Sequence, residues 1–289
     1  MPVYNACVGK RPPRSLLIRW ALLATFCFQW TNVQGTHHDH SATPRDPAWL
    51  LGVNLDDIPN APIRPVGSGV CPDAKCDGTD NEKCFENCAA VASASDVYGC
   101  PRDRHWALTF DDGPSALTAS LLDVLDEYQV KATFCVLGAQ VEKFPHLVKR
   151  AFLAGHQIAS HTYSHPHLMS LTNEEIVYEM KATEKAIEAA TGSRPRYMRP
   201  PYGEADARVK AIMRALGYKM LLWNVDPTDY KIHREPDAPE LIEEVFYDII
   251  SGKSPSPNPH DDEGFISLQH GQCLFIFRCY VRSCGVLKD

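Results

Sequence analysis

The sequence predicts an α/β fold in which strands and helices alternate around a β/α barrel. Two observations carry that reading. Strand-like apolar runs alternate with helical segments from about residue 105 onward. Clusters of chemically capable residues recur directly after several of those runs. Functional groups at the C-terminal ends of successive strands are how a β/α barrel builds one site.

The elements follow in order. Trp106-Ala107-Leu108 leads into Thr109-Phe110-Asp111-Asp112-Gly113-Pro114, a buried strand ending at a Gly-Pro turn with two carboxylates at its mouth. Adjacent residues on an extended chain point opposite ways, so one Asp is expected to bind a metal while the other faces substrate or water. A plain Asp-Asp-Gly-Pro surface turn is the alternative. Ala116 to Tyr128 reads as a helix with Leu117, Leu121, Leu122 and Leu125 on one face. Lys131 to Val136 reads as a strand in which Cys135 packs as a small buried hydrophobe. Gly155 to Ala159 is a further short strand-like run. Leu171 to Ala190 is a long amphipathic helix, with Thr172 as N-cap and Glu175 completing a capping box. Asp206 to Leu216 is a helix stopped by Gly217, and Pro239 to Ile250 is the last.

The polar clusters carry the chemistry. Ser160-His161-Thr162-Tyr163-Ser164-His165 places two histidines four residues apart, a common metal-ligand spacing that is weak evidence by itself. With one carboxylate they make a set with open positions, suited to zinc or another divalent transition metal acting on water. Arg199-Pro200-Pro201-Tyr202-Gly203, Asp226-Pro227-Thr228-Asp229-Tyr230 and His270 each follow an apolar run. Each has an ordinary reading: a proline turn, a solvated acidic loop, a satisfied histidine. The repeated placement argues against all three.

These five pieces, in this order, resemble the polysaccharide deacetylase family, the family-four carbohydrate esterases with the NodB homology domain. The resemblance covers about residues 105 to 271, and the wording is most similar to fungal chitin deacetylases. It implies a distorted barrel of about seven strands and one divalent metal, Zn²⁺ or Co²⁺. Carried over, Asp111 is the catalytic base, and Asp112, His161 and His165 are the metal ligands. Arg199 holds the base, and Tyr202 offers a backbone N–H to the oxyanion. Asp229 tunes the catalytic acid, His270. The family usually has Trp at the position of Tyr230, so the apolar wall there is expected to differ.

The remaining sequence bounds the setting. The chain has 289 residues, long enough for one barrel plus extensions, and a net charge of −7, which argues against nucleic acid as partner. Residues 1–35 read as a cleaved secretory signal: Lys10, Arg11 and Arg14 precede the apolar run Leu16 to Trp30. A signal anchor is the alternative, but Arg19 interrupts the run, so no integral membrane segment is expected after cleavage. The expected location is extracellular or in the cell wall.

Residues 36–70 read as an extended arm on the domain, or as a linker. Cys71, Cys76, Cys84, Cys88 and Cys100, among 11 cysteines, suggest a disulfide-stapled extension over 71–100. The deacetylase domain is expected over 101–271. The family pattern stops at Gly271, leaving 272–289 as an atypical tail and the barrel's closure incomplete, with an open strand edge near His270. Two function classes stand: a deacetylase of N-acetylglucosamine polymers such as chitin, or a polysaccharide-binding protein without turnover. Xylan and peptidoglycan are further substrates that the site chemistry does not separate from chitin.

Overall fold

The computed structural model describes residues 8–9, 42–68, 96–102, 105–251, 253 and 264–271. The strands are β1 (Val8–Gly9), β2 (Asp96–Val97), β3 (His105–Gly113), β4 (Thr133–Val136), β5 (Gln157–Ser160), β6 (Tyr197–Met198), β7 (Lys219–Leu221) and β8 (Phe265–His270). Seven of them run parallel in the order β8-β3-β4-β5-β6-β7-β2. β1, within the segment expected to be a leader, pairs antiparallel with the start of β3.

Side-chain alternation along β3 sorts the core into two layers. Leu108 and Phe110 face outward into a cluster with Leu121, Leu125, Phe134, Ile158 and Phe246. Ala107 faces inward with Cys135, Ala159, Tyr197, Leu221 and Ile266, residues of six successive strands that fill the barrel floor. Three of them are small, which lets the sheet curl tightly. Cys135 is free and buried, as expected.

Helices cover the outside: α1 (Thr118–Glu127), α2 (Gly138–Lys143), α3 (Pro145–Leu153), α4 (Asn173–Thr191), α5 (Ala207–Ala215), α6 (Asp229–Ile232) and α7 (Ala238–Ile250). The capping box of α4 forms as expected, and Gly192 ends that helix at φ 73°. α2 and α3 were not anticipated. The first is only six residues long, and the second starts on Pro145 in its first turn.

The edge expected to lie open beside His270 is covered. Asn224 and Val225, just after β7, both donate their N–H groups to Ile266 O at 3.1 Å, and Leu268 N–H donates to Val225 O at 2.9 Å. The Asn224 side chain adds bonds to Gly264 O and Ile266 N–H, at 2.9 and 2.8 Å. β3 takes the other edge of β8 over six residue pairs. The tail 272–289 lies outside the described residues, as does most of the 71–100 extension; Cys100 itself is buried in the floor cluster.

Residues 42–68 are an arm lying on the domain. Leu50, Val53, Leu55 and Ile58 pack against a cluster containing Met169, Met180, Met198 and Met213, and Arg64 N–H donates to Met169 O at 2.9 Å. Among the described residues no helix is long and apolar enough to cross a membrane.

Gly264 opens β8 at a point with no room for a side chain. A Cβ there would lie 2.5 Å from Arg102 O and 2.7 Å from His105 O, both backbone atoms. Gly264→Ala is therefore expected to lower unfolding free energy by about 1–3 kcal/mol. Urea denaturation at neutral pH measures it.

Candidate active site

Asp111 and His270 are brought together by register. They are paired residues on adjacent parallel strands, so both side chains rise from the same face at the barrel mouth. Simple alternation would turn Asp112 away from Asp111. The structure corrects that expectation: Asp112 has φ 67°, and the β3–β4 register shifts between Phe110 and Gly113. Such an irregularity re-aims a side chain, and here it brings both carboxylates to one pocket. His161 Nε2 lies 3.8 Å from Asp111 Oδ2 and 3.5 Å from Asp112 Oδ1.

His165 Nε2 is 3.6 Å from the same Asp112 oxygen. Among the described residues, Asp112, His161 and His165 form a set whose ligand atoms all lie within 4.8 Å of one another. Two donors bound at about 2.1 Å in tetrahedral geometry are about 3.4 Å apart, so the spacing fits a zinc-sized divalent ion. The tautomer fits as well. His161 Nδ1 is 2.8 Å from Arg199 O, and a carbonyl can only accept. A proton therefore sits on Nδ1, and Nε2 is the ring nitrogen turned toward Asp112.

Arg199 is fully buried. Its Nη1 donates to Asp111 Oδ1 at 2.7 Å and to Thr109 Oγ1 at 2.6 Å. Its Nε and Nη2 donate to Leu221 O and Leu222 O, at 3.0 and 3.1 Å. Trp223 lies under the guanidinium, 5.3 Å away. The Asp111 carboxylate is thus oriented by a cation that is itself immobilised.

Asp229 was expected on a loop. It begins the short helix α6, after Thr228 in the left-handed region at φ 55°. Both its oxygens serve His270: one accepts the backbone N–H at 2.7 Å, the other faces Nδ1 at 2.7 Å. Nδ1–H donates there, leaving Nε2 toward the pocket. Burial alone would push the His270 pKa down. The Asp229 hydrogen bond and charge, helped by Asp112 and Asp111, outweigh it and raise the value to about 9. Tyr230 stands edge-on to His270 at 5.4 Å, so an aromatic wall persists where the family usually has Trp.

Tyr202 sits at φ 61° in a turn closed by Gly203 N–H donating to Pro200 O at 3.1 Å. Its half-exposed ring stacks on His167 at 3.8 Å and meets His165 edge-on at 4.7 Å. His167 in turn bonds the buried Glu204 carboxylate at 3.0 Å. Burial, then the charges of Asp112 and Glu204, raise the Tyr202 phenol pKa and keep it neutral.

All eight residues singled out in the sequence surround one pocket or support it directly. Thr109, His167, Glu204 and Glu179 were missed. Only Glu179 carried a signal: a carboxylate on the buried face of α4 beside Met180 and Val177.

His270 has a raised folded-state pKa, so the stability it contributes is full below its ordinary 6.5 and lost as pH rises through about 9. In metal-free protein this amounts to a fall on the order of 3 kcal/mol across that range. Asp229→Asn should remove most of that fall. Chemical denaturation between those pH values, comparing the two proteins, measures the difference.

The family model for polysaccharide deacetylases matches residues 98–221. Chitin deacetylase 1 of Saccharomyces cerevisiae is 34% identical over 249 residues, 86% of this chain and 75% of that protein. Chitin deacetylase 1 of Cryptococcus neoformans is 34% identical over 77% of this chain, yet the chain spans only 48% of that relative's length. The solved chitin deacetylase of Colletotrichum lindemuthianum aligns with TM-score 0.59 and 30% identity, over 65% of this chain and 84% of that one. Motif order, curled parallel sheet and sequence identity agree: the chain belongs to the polysaccharide deacetylase family.

Proposed function

We propose that this chain is a metal-dependent amide hydrolase that removes N-acetyl groups from chitin or chitin oligomers, giving chitosan and acetate. The observation that carries it is the placement of Asp111 and His270 side by side at the mouth, each with its own orienting partner. Chitin is favoured among acetylated polymers by the relatives named chitin deacetylases. A binding protein without turnover is disfavoured, because such a protein has no need of Arg199 on the base or Asp229 on the acid.

Asp112, His161 and His165 would hold a divalent ion, Zn²⁺ or Co²⁺, which when bound would polarise the acetamide carbonyl and activate water. Asp111, held by Arg199, takes the proton from the attacking water. His270, protonated through its contact with Asp229, gives a proton to the departing amine nitrogen. The Tyr202 backbone N–H would face the developing oxyanion, a donor type whose removal commonly costs roughly 10²–10³ in rate. The basic-then-apolar leader supports secretion, to the exterior or the cell wall where such a polymer lies.

Asp111→Asn is expected to retain metal while slowing acetate release by about 10²–10⁴-fold. His270→Ala should impair an amide substrate more than an activated ester, whose leaving group needs less protonation. Equal losses on the two substrates would remove the acid role from His270. Acetate assays on a chitin oligomer and an activated ester, with added Zn²⁺ or Co²⁺, make the comparison.

His165→Ala is expected to abolish tight metal binding and acetate release together. Calorimetric titration with Zn²⁺ alongside the acetate assay tests it. Undiminished Zn²⁺ binding would place the metal elsewhere.

A further inference from the structure

The loop carrying His161 and His165 is held from outside itself. Thr162 and His165 both lie in the left-handed region, at φ 70° and 63°. Non-glycine residues stay there only when their surroundings over-determine them. The holder is Glu179 of α4. Its Oε2 accepts the N–H groups of Tyr163 and Ser164 at 2.8 and 2.9 Å, and its Oε1 accepts the Ser164 hydroxyl at 2.8 Å.

A fourth donor reaches the same carboxylate from the N-terminal arm. Thr43 Oγ1 donates to Glu179 Oε1 and lies 3.5 Å from Ser164 Oγ. Glu179 is buried, so each donor lost leaves a carboxylate lone pair unmet by the protein. The arm grips the same place twice more. Trp49 packs on the cluster of Tyr163, Ala139 and Ala182. Arg45 pairs with Glu175 at 3.1 Å, one turn before Glu179 on α4. These arm residues lie outside the stretch that the family model matches.

We propose that the arm is a clamp on the metal-ligand loop, and that Thr43, acting through Glu179, is a positioning residue for His161 and His165. The effect on the metal rests on the reading of Asp112, His161 and His165 as ligands. The clamp itself does not.

The test uses the full chain, freed of metal, with Thr43→Val, Thr43→Ser and Glu179→Ala. Two quantities are read: the Zn²⁺ dissociation constant by calorimetry, and amide hydrogen exchange at Tyr163 and Ser164. Thr43→Val should weaken Zn²⁺ binding about 3- to 10-fold, and Glu179→Ala about 10- to 100-fold, as for other supports of metal ligands. Thr43→Ser, which restores the donor, should stay within about twofold of wild type. In Thr43→Val, exchange should accelerate at Tyr163 and Ser164 while Ala159 in β5 keeps its wild-type protection.

Wild-type exchange at both amides in Thr43→Val would overturn the clamp. Faster exchange with unchanged Zn²⁺ affinity would overturn its role in the metal site. A wild-type chain that takes no Zn²⁺ would overturn the metal reading and the coupling with it. That outcome is distinct from one in which wild type and Thr43→Val bind equally. The Thr43 variants guard against the case in which Glu179→Ala fails to fold.

Discussion

The structure depends on one buried cation. Arg199 is sealed inside the barrel, and taking a guanidinium out of water costs several kcal/mol unless its donors are met. They are met by Thr109 and Asp111 of β3 and by the carbonyls of Leu221 and Leu222 at the end of β7. Strands on opposite sides of the curl are thereby tied through its centre. The Arg199 carbonyl also accepts from His161, so the same residue orients both the Asp111 carboxylate and the His161 ring. Removing either charge would strand the other in the interior, where breaking such a pair costs about 3–5 kcal/mol.

Which parts of this arrangement were legible depends on what sequence encodes. Residue type and order are explicit, so Asp111, Asp112, His161, His165, Arg199, Asp229 and His270 could all be singled out, and the structure gathers them. The capping box at Thr172 and Glu175 was legible because it is a short-range pattern with a local cause. The direction of Asp112 was not. Alternation predicts it pointing away from Asp111, and only the positive φ and the register shift reverse that. α2 was hidden by its length and by Gly138, a residue that reads as a turn. It is glycine for packing: a Cβ would sit 2.5 Å from the Tyr163 ring. The cover over β8 was hidden because Val225 makes one isolated bridge, to Ser267, rather than belonging to a strand.

The misreading of Asp112 shares its cause with the assembly of the site. Of the six non-glycine residues at positive φ among the described residues, Asp112, Thr162, His165, Tyr202 and Thr228 are in or next to the site, and Gln129 is elsewhere. Each such residue costs on the order of 1–3 kcal/mol and carries no mark in the sequence. Their clustering says that the ordinary geometry of strand and loop does not by itself converge this set of side chains. The barrel supplies the frame, and strained residues at its mouth make the final aim.

Strain concentrated at the mouth has to be opposed by contacts outside it. Each strained segment has its own. The register shift of β3 lies between β4 and β8, which pair with it on both edges. The Tyr202 turn is stiffened by Pro200 and Pro201 and stacked on His167, itself bonded to Glu204. Thr228 is fixed by its N–H donating to Asp226 Oδ1 at 2.7 Å. The histidine loop lacks prolines between His161 and His165 and draws on a helix and an arm distant in sequence. A site made this way is only as rigid as its most remote support, because the strained residues relax when released. The arm contacts the support of the histidine loop even though the motifs of the resemblance all lie within 105–271.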